Sequence, residues 1–276
     1  MSADSKKVVL ITGASSGFGK VTSALLAKKG EYRVFGTSRN PSAQTVGNAS
    51  ENYAMLPLDV DSDESAEACA NTLLERTGGR LDVLVNNAGF VLFGSLEETS
   101  LEEAKQQIET NLFGAVRMTK AVLPTMRKQR SGKIINIGSI AGHIAVPFQG
   151  YYSVSKFALE GFTEALRLET RGFGIDVSIV EPGFFKTNLA ASAKQATARI
   201  DDYAKTRTRV LEEIRRSDGM GEDPVKVGET IVRIIESKKP KAHYAVGRNS
   251  YGILLKRIIP QSIFEGQIRR MFRLDE

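Results

Sequence analysis

The sequence has very few of the residues that form disulfides or bind transition metals. Its 276 residues include one cysteine, Cys69, two histidines, His143 and His243, and no tryptophan. A single cysteine excludes an internal disulfide. Two histidines leave little material for a transition-metal site, so no metal site is expected. A cytoplasmic location is the default expectation for such a chain.

Long hydrophobic runs are also missing. No apolar stretch approaches the ~18 residues that a transmembrane helix needs, and the first seven residues are polar, unlike the apolar centre of a signal peptide. With 41% hydrophobic and 25% charged residues, the composition is that of a soluble globular protein with a substantial core. No low-complexity linker or internal repeat divides the chain, which predicts one domain over residues 1–276.

The net charge of +6 is concentrated in two segments. Residues 194–216 carry seven basic and four acidic side chains, and residues 248–276 carry six basic and three acidic ones. Such patches occur in nucleic-acid-binding proteins and also as solvated helix faces. Neither segment has the interleaved aromatic residues of a nucleic-acid-binding motif. We therefore favour solvated faces and expect no nucleic-acid partner.

Short apolar runs alternate with amphipathic helical patterns along the chain. The runs that predict strands cover residues 8–12, 33–37, 54–58, 81–85, 133–138, 175–180 and 242–246. The patterns that predict helices cover residues 21–29, 61–77, 101–128, 157–171 and 225–236. This alternation predicts an α/β fold with a doubly wound parallel sheet and helices on both faces.

A glycine-rich turn follows the first predicted strand. Residues 13–19 read GASSGFG and lead into a helical pattern. Glycines let the backbone turn tightly and approach a pyrophosphate, whose charge is met by amide N–H groups at the helix N-terminus. The candidate cofactor-binding residues of this turn are Gly13, Ser15, Ser16, Gly17, Phe18 and Gly19.

Ser38 and Arg39 follow the second predicted strand. An NAD-specific fold usually has a carboxylate here for the ribose 2′-hydroxyl, whereas an arginine accommodates a 2′-phosphate. Because the carboxylate is absent, we favour NADP over an exposed arginine that binds no cofactor. Asp59 and Val60 follow the third strand, where the Asp59 carboxylate is a candidate acceptor for the adenine amino group.

Asparagines mark two further candidate positions. The fourth predicted strand ends in Asn86-Asn87-Ala88-Gly89. The two amides can tie neighbouring loops together, and the small Ala88 and Gly89 let a ribose approach the backbone. Asn111 lies within the long helical pattern at 101–128, where it is a poor helix former. It is either a solvated or locally capped amide or a kink that aims a carbonyl or amide at the active site.

Ser139, Tyr152 and Lys156 form a candidate proton-transfer site. Tyr152 and Lys156 lie four residues apart in the first turns of a helix, so they share a face. A phenol has a pKa near ~10, and a fixed ammonium beside it is expected to lower that value. Tyr151 has the uncharged Ser155 four residues on, so the spacing selects Tyr152. Ser139 follows the fifth strand, at the sheet edge where ligands bind. Alone, the pair could be a chance Tyr and Lys at a surface helix start.

Together these motifs resemble the short-chain dehydrogenase/reductase family, over roughly residues 6–250. In family order they are the TGxxxGxG loop at 12–19, Asp59, the NNAG of 86–89, Asn111, Ser139, the YxxxK of 152–156, and Pro182-Gly183 with Thr187. The resemblance implies a single-domain Rossmann-type fold. It also implies NADP(H)-dependent interconversion of a carbonyl and an alcohol, with a catalytic tetrad of Asn111, Ser139, Tyr152 and Lys156.

The resemblance also implies a role for each residue. Tyr152 would act as general acid in reduction and as general base in oxidation. Lys156 would lower the pKa of Tyr152 and hold the nicotinamide ribose, and Ser139 would polarise the substrate oxygen. Asn111 would hold a water that links Lys156 to solvent.

Three residues near the end of the pattern are expected to contact the nicotinamide. Pro182, Gly183 and Thr187 resemble the family segment that holds the carboxamide of the nicotinamide.

The alternative to an enzyme is a non-catalytic NADP-binding sensor or scaffold protein. Such a protein need not keep all four members of the tetrad, whereas this sequence does.

The substrate region is less well defined by the sequence. A weaker similarity of residues 147–168 and of the basic extension at 248–276 points to members that handle steroids, retinoids or other bulky apolar alcohols, ketones or aldehydes. Residues 184–221 are too long for an ordinary connection and predict a substrate lid. Five residues are either pocket lining or core packing: His143, Phe148, Gln149, Phe184 and Phe185. The wide apolar stripes of the helices at 101–128 and 157–171 predict a homodimer or homotetramer.

Overall fold

A computed structural model describes residues 6–41, 52–187, 193–247, 250 and 260–274. Its strands are β1 (Lys7–Ile11), β2 (Tyr32–Ser38), β3 (Tyr53–Pro57), β4 (Val83–Asn86), β5 (Leu92–Phe93), β6 (Gly132–Ile137), β7 (Ile175–Pro182), β8 (Lys194–Gln195) and β9 (His243–Val246). Its α-helices are α1 (Gly17–Lys29), α2 (Asp63–Arg76), α3 (Leu101–Ile108), α4 (Gly114–Gln129), α5 (Gly150–Thr170), α6 (Ala204–Gly219), α7 (Val225–Glu236) and α8 (Gln261–Met271). None of the helices in these ranges is both long and apolar enough to cross a membrane.

Seven strands form one parallel sheet in the order β3-β2-β1-β4-β6-β7-β9. The chain first adds strands outward from β1 to β3 and then crosses back to β4 on the other side of β1. The crevice at this reversal, outside the carboxyl ends of the strands, is where open α/β sheets bind ligands. The doubly wound parallel sheet predicted from the sequence is confirmed.

The central strands are continuously apolar because both faces of the sheet are covered by helices. Val8 and Leu10 of β1 pack on one face with buried residues of α2 and α4. Val9 and Ile11, which alternate with them, pack on the opposite face with residues of α1 and α7. The alternation of successive side chains across a strand therefore divides the core into two layers.

Helix ends follow local chemistry, with one departure from the sequence prediction. α3 starts with a capping box, in which the Ser100 hydroxyl accepts from Glu103 N at 3.1 Å and the Glu103 carboxylate accepts from Ser100 N at 2.9 Å.

The single helix predicted over 101–128 is wrong in one respect, because a π-helical turn, Glu109–Phe113, separates α3 from α4. Asn111 lies in this turn. Such turns occur frequently at functional sites.

The segment predicted as a lid packs over the carboxyl end of the sheet where the structure describes it. β8 pairs with β5 in a small parallel sheet. Val210 and Ile214 of α6 are buried in a cluster that also contains Tyr152 and Phe272, the residue that follows α8. We call the cluster of Val91, Phe93, Ala141, Val146, Phe148, Tyr152, Val210, Ile214 and Phe272 the apolar cluster. Residues 188–192 of the predicted lid and most of residues 248–259 lie outside the described residues.

Candidate active site

Tyr152 and Lys156 lie together at the start of α5. The helix begins at Gly150, earlier than the apolar pattern from residue 157 suggests, so both residues fall in its first two turns. They are almost fully buried, with 8% and 6% exposure. Lys156 Nζ lies 5.7 Å from the ring centre of Tyr152 and donates a hydrogen bond to the carbonyl of Ile137, at the end of β6, at 2.7 Å.

Burial controls the ionisation of this pair. It raises the pKa of Tyr152, whereas the Ser139 hydroxyl lowers this pKa and the nearby Asp218 raises it. Burial also lowers the pKa of Lys156 to about 8, although the negative charge of Glu160 opposes this change. The net direction for Tyr152 is thus opposite to the lowering expected from the sequence, because burial outweighs the lowering influences, and the role of Lys156 stays a prediction. The ammonium is held by a backbone carbonyl, and desolvation of the phenolate is the largest influence.

Ser139 is placed by a short 3₁₀ turn directly after β6. Its side chain accepts a hydrogen bond from Ala141 N at 3.1 Å and caps the turn Ile140–Gly142. The interaction between Ser139 and the Tyr152 phenol lowers the pKa of Tyr152. The sheet edge and α5 thus bring a hydroxyl and a phenol together, as the sequence predicts.

Asn111 connects α5 to the segment after β4. Its Oδ1 accepts from Phe90 N at 3.0 Å, and its Nδ2 donates to Phe90 O at 3.0 Å and to Ser155 Oγ at 3.1 Å. Ser155 Oγ in turn donates to the carbonyl of Tyr152 at 2.7 Å. The amide is buried and satisfied rather than solvated. In the sequence, Ser155 stands out only as the uncharged residue four positions after Tyr151, so this link is seen only in the structure.

The glycine turn forms a tight backbone cradle before α1. Gly13 and Gly17 have φ values of +65° and +52°, which favour glycine. A Cβ on Gly19 would lie 2.5 Å from Asn87 Nδ2 and 2.6 Å from Gly13 O. Asn87 Nδ2 donates to Thr12 O at 2.8 Å and to Gly13 O at 3.0 Å, so the amide ties two loops together as predicted. No side chain caps the start of α1. Its amide N–H groups therefore suit an anion.

One cavity of about 420 Å³ runs from the glycine turn to Tyr152. The predicted site residues that line it are Gly13, Ser15, Ser16, Gly17, Phe18, Ser38, Arg39, Asp59, Val60, Asn87, Ala88, Gly89, Asn111, Tyr152, Lys156 and Thr187. The predicted residues outside its lining are Gly19, Ser139, Pro182 and Gly183. Lining residues that sequence reasoning missed are Thr37, Leu58, Asp61, Phe90, Gln106, Thr110, Ile137, Gly138 and Lys194. No local motif marks these residues, because they come from eight separate stretches of chain.

Some of the missed residues organise the far wall of the cavity. Asp61 Oδ2 accepts from Gln106 Nε2 at 2.6 Å and from Thr110 Oγ1 at 2.9 Å. These bonds tie the loop after β3 to α3 and the π-helical turn. Lys194 Nζ lies 4.6 Å from the ring centre of Phe90, so the segment predicted as a lid places a cation at the cavity.

None of the five residues left open between pocket lining and packing lines the cavity. Phe148 is buried in the apolar cluster and meets Tyr203 edge-on, with ring centres 6.1 Å apart. Phe185 meets Phe18 edge-on at 5.6 Å. His143 bonds to Glu181 Oε1 at 2.6 Å. The remaining two residues are Gln149, at the start of α5, and Phe184, whose carbonyl accepts from Glu222 N.

A parallel doubly wound sheet, a glycine cradle at its reversal and a buried Tyr-Lys pair define a nucleotide-dependent oxidoreductase. A family model described as short chain dehydrogenase matches residues 7–198. The chain belongs to this family of oxidoreductases.

Two curated relatives extend over most of the chain. A 3-ketodihydrosphingosine reductase of Bacteroides thetaiotaomicron is 44% identical over 243 residues, which cover 87% of this chain and 88% of the relative. Retinol dehydrogenase 8 of Bos taurus is 37% identical over 254 residues, which cover 86% and 80%.

Solved structures agree with the fold. A short-chain dehydrogenase from Streptomyces avermitilis is 33% identical, has a TM-score of 0.81, and matches 98% of both chains. ElxO with NADP bound is 27% identical, has a TM-score of 0.72, and matches 90% of this chain and 99% of that one.

Proposed function

We propose that this protein is an NADP(H)-dependent reductase that interconverts a carbonyl and an alcohol on a bulky apolar substrate, with Tyr152 as the proton donor and acceptor. The observation that carries the proposal is the buried Tyr152-Lys156 pair at one end of the cavity, with the glycine cradle at the other. The cradle fits a pyrophosphate, because a side chain at Gly19 would collide with Asn87 and α1 begins without a side-chain cap. When bound, the nicotinamide supplies or accepts the hydride.

The direction of reduction suits the ionisation of Tyr152. Because burial raises the pKa of this phenol, it stays protonated at neutral pH and is ready to donate to a carbonyl oxygen. Ser139 would hold the same oxygen and Lys156 would remain mostly cationic, since its pKa is about 8. In this view Asn111 positions α5 against the segment after β4 through Ser155 and Phe90.

The preference for NADP rests on Arg39. This arginine is exposed at the end of β2 and lines the cavity beside Ser38. A guanidinium at this position suits the 2′-phosphate, which NAD lacks. The NADP bound in the ElxO structure supports the same cofactor.

The apolar cluster supports an apolar substrate. Tyr152 is one of its members, and Val210 and Ile214 of α6 cover it. The two relatives, named for 3-ketodihydrosphingosine and for retinol, both point to a long apolar molecule with an alcohol or carbonyl near one end. The two candidates differ in charge, because a long-chain 2-amino ketone carries an ammonium beside the carbonyl and retinal does not.

Asp218 favours the amino ketone. It lies four residues beyond Ile214, so it shares the face of α6 that covers Tyr152. Burial raises the pKa of Asp218 to about 6, so the carboxylate is still mostly ionised at neutral pH. Its charge acts on Tyr152, which places it within electrostatic range of the reacting oxygen. An ammonium next to the substrate carbonyl would pair with it.

The first experiment measures NADPH oxidation with 3-ketodihydrosphingosine and with all-trans-retinal. We expect Tyr152→Phe to abolish turnover while NADPH affinity is retained, because only the proton donor is lost. Tyr151→Phe is the matched control, and we expect it to keep most activity. Turnover that survives Tyr152→Phe would overturn the proposed chemistry.

The second experiment compares substrates in Asp218→Asn. We expect KM for the amino ketone to rise by roughly tenfold or more, since a charge-assisted bond is worth about 1.5–3 kcal/mol. KM for retinal or another uncharged ketone should stay unchanged. Equal effects on both substrates would remove the amino ketone assignment and leave the reductase assignment intact.

A further inference from the structure

Both histidines of the chain meet two glutamates behind the Ser139 loop. His143 follows the turn after β6, Glu160 lies on α5, Glu181 on β7, and His243 begins β9. One nitrogen or oxygen from each residue lies within 4.8 Å of the others. The four residues are spread over a hundred positions of sequence, so no local spacing pattern identifies them as one site.

The distances between the side-chain nitrogen and oxygen atoms of these residues are similar to those between the ligands of a four-coordinate metal ion. His143 Nε2 lies 2.6 Å from Glu181 Oε1 and 3.7 Å from Glu160 Oε1. His243 Nδ1 lies 3.1 Å from Glu181 Oε1 and 3.5 Å from Glu160 Oε2. A tetrahedral Zn²⁺ with bonds of about 2.0–2.2 Å separates its ligands by roughly 3.3–3.6 Å. Shifts of about 1 Å would therefore bring one ligand atom from each residue around a single ion.

Glu160 supplies the second, independent observation. The residue is 7% exposed, and both of its carboxylate oxygens are buried without a hydrogen-bond donor among the described residues. A buried carboxylate normally has donors or a metal as partners. Its unpartnered oxygens instead face two imidazoles and a second carboxylate.

The surroundings leave space for this carboxylate and a path to it. A Cβ on Gly138 would lie 3.0 Å from Glu160 Oε1, and one on Gly142 would lie 3.2 Å from the same oxygen. The His243 side chain is 36% exposed and that of His143 is 21% exposed, so an ion could enter from the histidine side. The two carboxylates carry the negative charge that a dication neutralises.

We propose that His143, Glu160, Glu181 and His243 form a binding site for a divalent transition metal of the Zn²⁺ class. Two imidazoles and two carboxylates are a ligand set that zinc accepts. The ion would join the Ser139 loop, α5, β7 and β9, and thereby fix the loop that carries Ser139. This proposal is the opposite of the expectation from the sequence that no metal site exists, because a count of two histidines carries no information on whether the fold brings both together.

The test uses untagged full-length protein freed of metal with a chelator. We expect one equivalent of Co²⁺ to produce the strong visible absorption of a tetrahedral site, and Zn²⁺ to displace it in a calorimetric titration. Zn²⁺ should also raise Tm, because a ligand that binds only the folded state stabilises it. Absence of the tetrahedral Co²⁺ spectrum at saturating metal would overturn the proposal.

Variants locate the site. Glu160→Gln keeps the side-chain volume and removes the charge, and His243→Gln changes the more exposed ligand, so at least one folded variant is expected. Loss of even an outer-shell partner typically costs about 10- to 100-fold in metal affinity, so loss of a ligand should cost at least as much. Glu169→Gln, an exposed change on the same helix, should leave affinity unchanged. Equal Zn²⁺ affinity in all three variants would contradict the assignment.

Discussion

Single residues in the active site behave according to their burial. Lys156 is four residues from Tyr152 and pairs with it on one helix face, yet desolvation lowers the pKa of Lys156 and raises that of Tyr152. Both shifts favour the neutral forms. Tyr152 therefore holds its proton more tightly than a phenol in water, and Lys156 loses its proton more easily than an exposed lysine.

This ionisation predicts the pH dependence of reduction. The Lys156 ammonium is present below its pKa of about 8 and is lost as the pH rises through that value. The Tyr152 phenol, whose pKa is raised, stays protonated over the same range. We expect kcat/KM for carbonyl reduction, measured from about pH 6 to pH 10, to fall on the basic side near pH 8.

Lys156→Arg is the matched control for this profile. An arginine keeps its charge throughout, so the basic limb should disappear or move beyond pH 10 in that variant. An identical limb in both proteins would show that another group controls it.

Arg39 is tested by cofactor selectivity. We expect Arg39→Ala to weaken NADPH binding roughly ten- to hundredfold, because a charge-assisted contact with phosphate is worth about 1.5–3 kcal/mol. NADH binding should change little, since NADH lacks the 2′-phosphate. Fluorescence titration with both cofactors measures the two dissociation constants. Equal losses for both would remove the role given to this arginine.

At the scale of elements, the connection between β7 and α7 packs against the segment that precedes α3. Its described portion is attached by the buried Glu98, which pairs with Arg207 and accepts from Ile200 N at 3.1 Å. Val210 and Ile214 bury one face of α6. With these contacts, the connection either stays fixed in both the free and the bound protein or closes over the substrate as a lid.

Hydrogen exchange distinguishes the lid from rigid packing. We expect peptides from residues 193–216 to exchange faster than the sheet in the free protein. They should gain protection when NADPH and a bulky apolar ketone are both bound. Peptides from α4, which packs in the core, serve as the internal control. Full protection of the connection before any ligand is added would rule out closure.

At the scale of the whole molecule, apolar side chains remain exposed on the helices that flank the sheet. Phe113, beside α4, is 46% exposed, and Val154 and Leu168 on α5 are 48% and 76% exposed. Two such helix faces on each chain suit a self-complementary interface. We expect an assembly that buries them.

Sedimentation should therefore give a dimer or tetramer of the 30.1 kDa chain at micromolar concentration. Phe113→Glu combined with Val154→Glu should shift it toward the monomer, because it places charges in the interface. Met220→Glu, a change at an apolar residue after α6 that is 68% exposed, should not. A monomeric wild-type protein would contradict the expected assembly.

The sequence by itself determined the seven strands of the parallel sheet, five helical segments and the identity of most residues that line the cavity. These depend on local information: apolar periods, glycine turns and the four-residue spacing that puts Tyr152 and Lys156 on one face. The family match and the seven-stranded sheet confirm the fold and the family. The catalytic roles remain predictions.

Only the tertiary structure decided properties that depend on distant segments. The direction of the Tyr152 pKa follows from burial, and the Asn111 amide is satisfied by Phe90 and Ser155. The charge of Asp218, on a separate helix, raises the pKa of Tyr152. Likewise, His143, in the turn after β6, meets His243, the first residue of β9, because β6 and β9 flank β7 and the start of β9 is in register with Ile179 in the second half of β7. The crossovers that bring such strands together are long, and sequence spacing carries no record of which side chains they bring into contact.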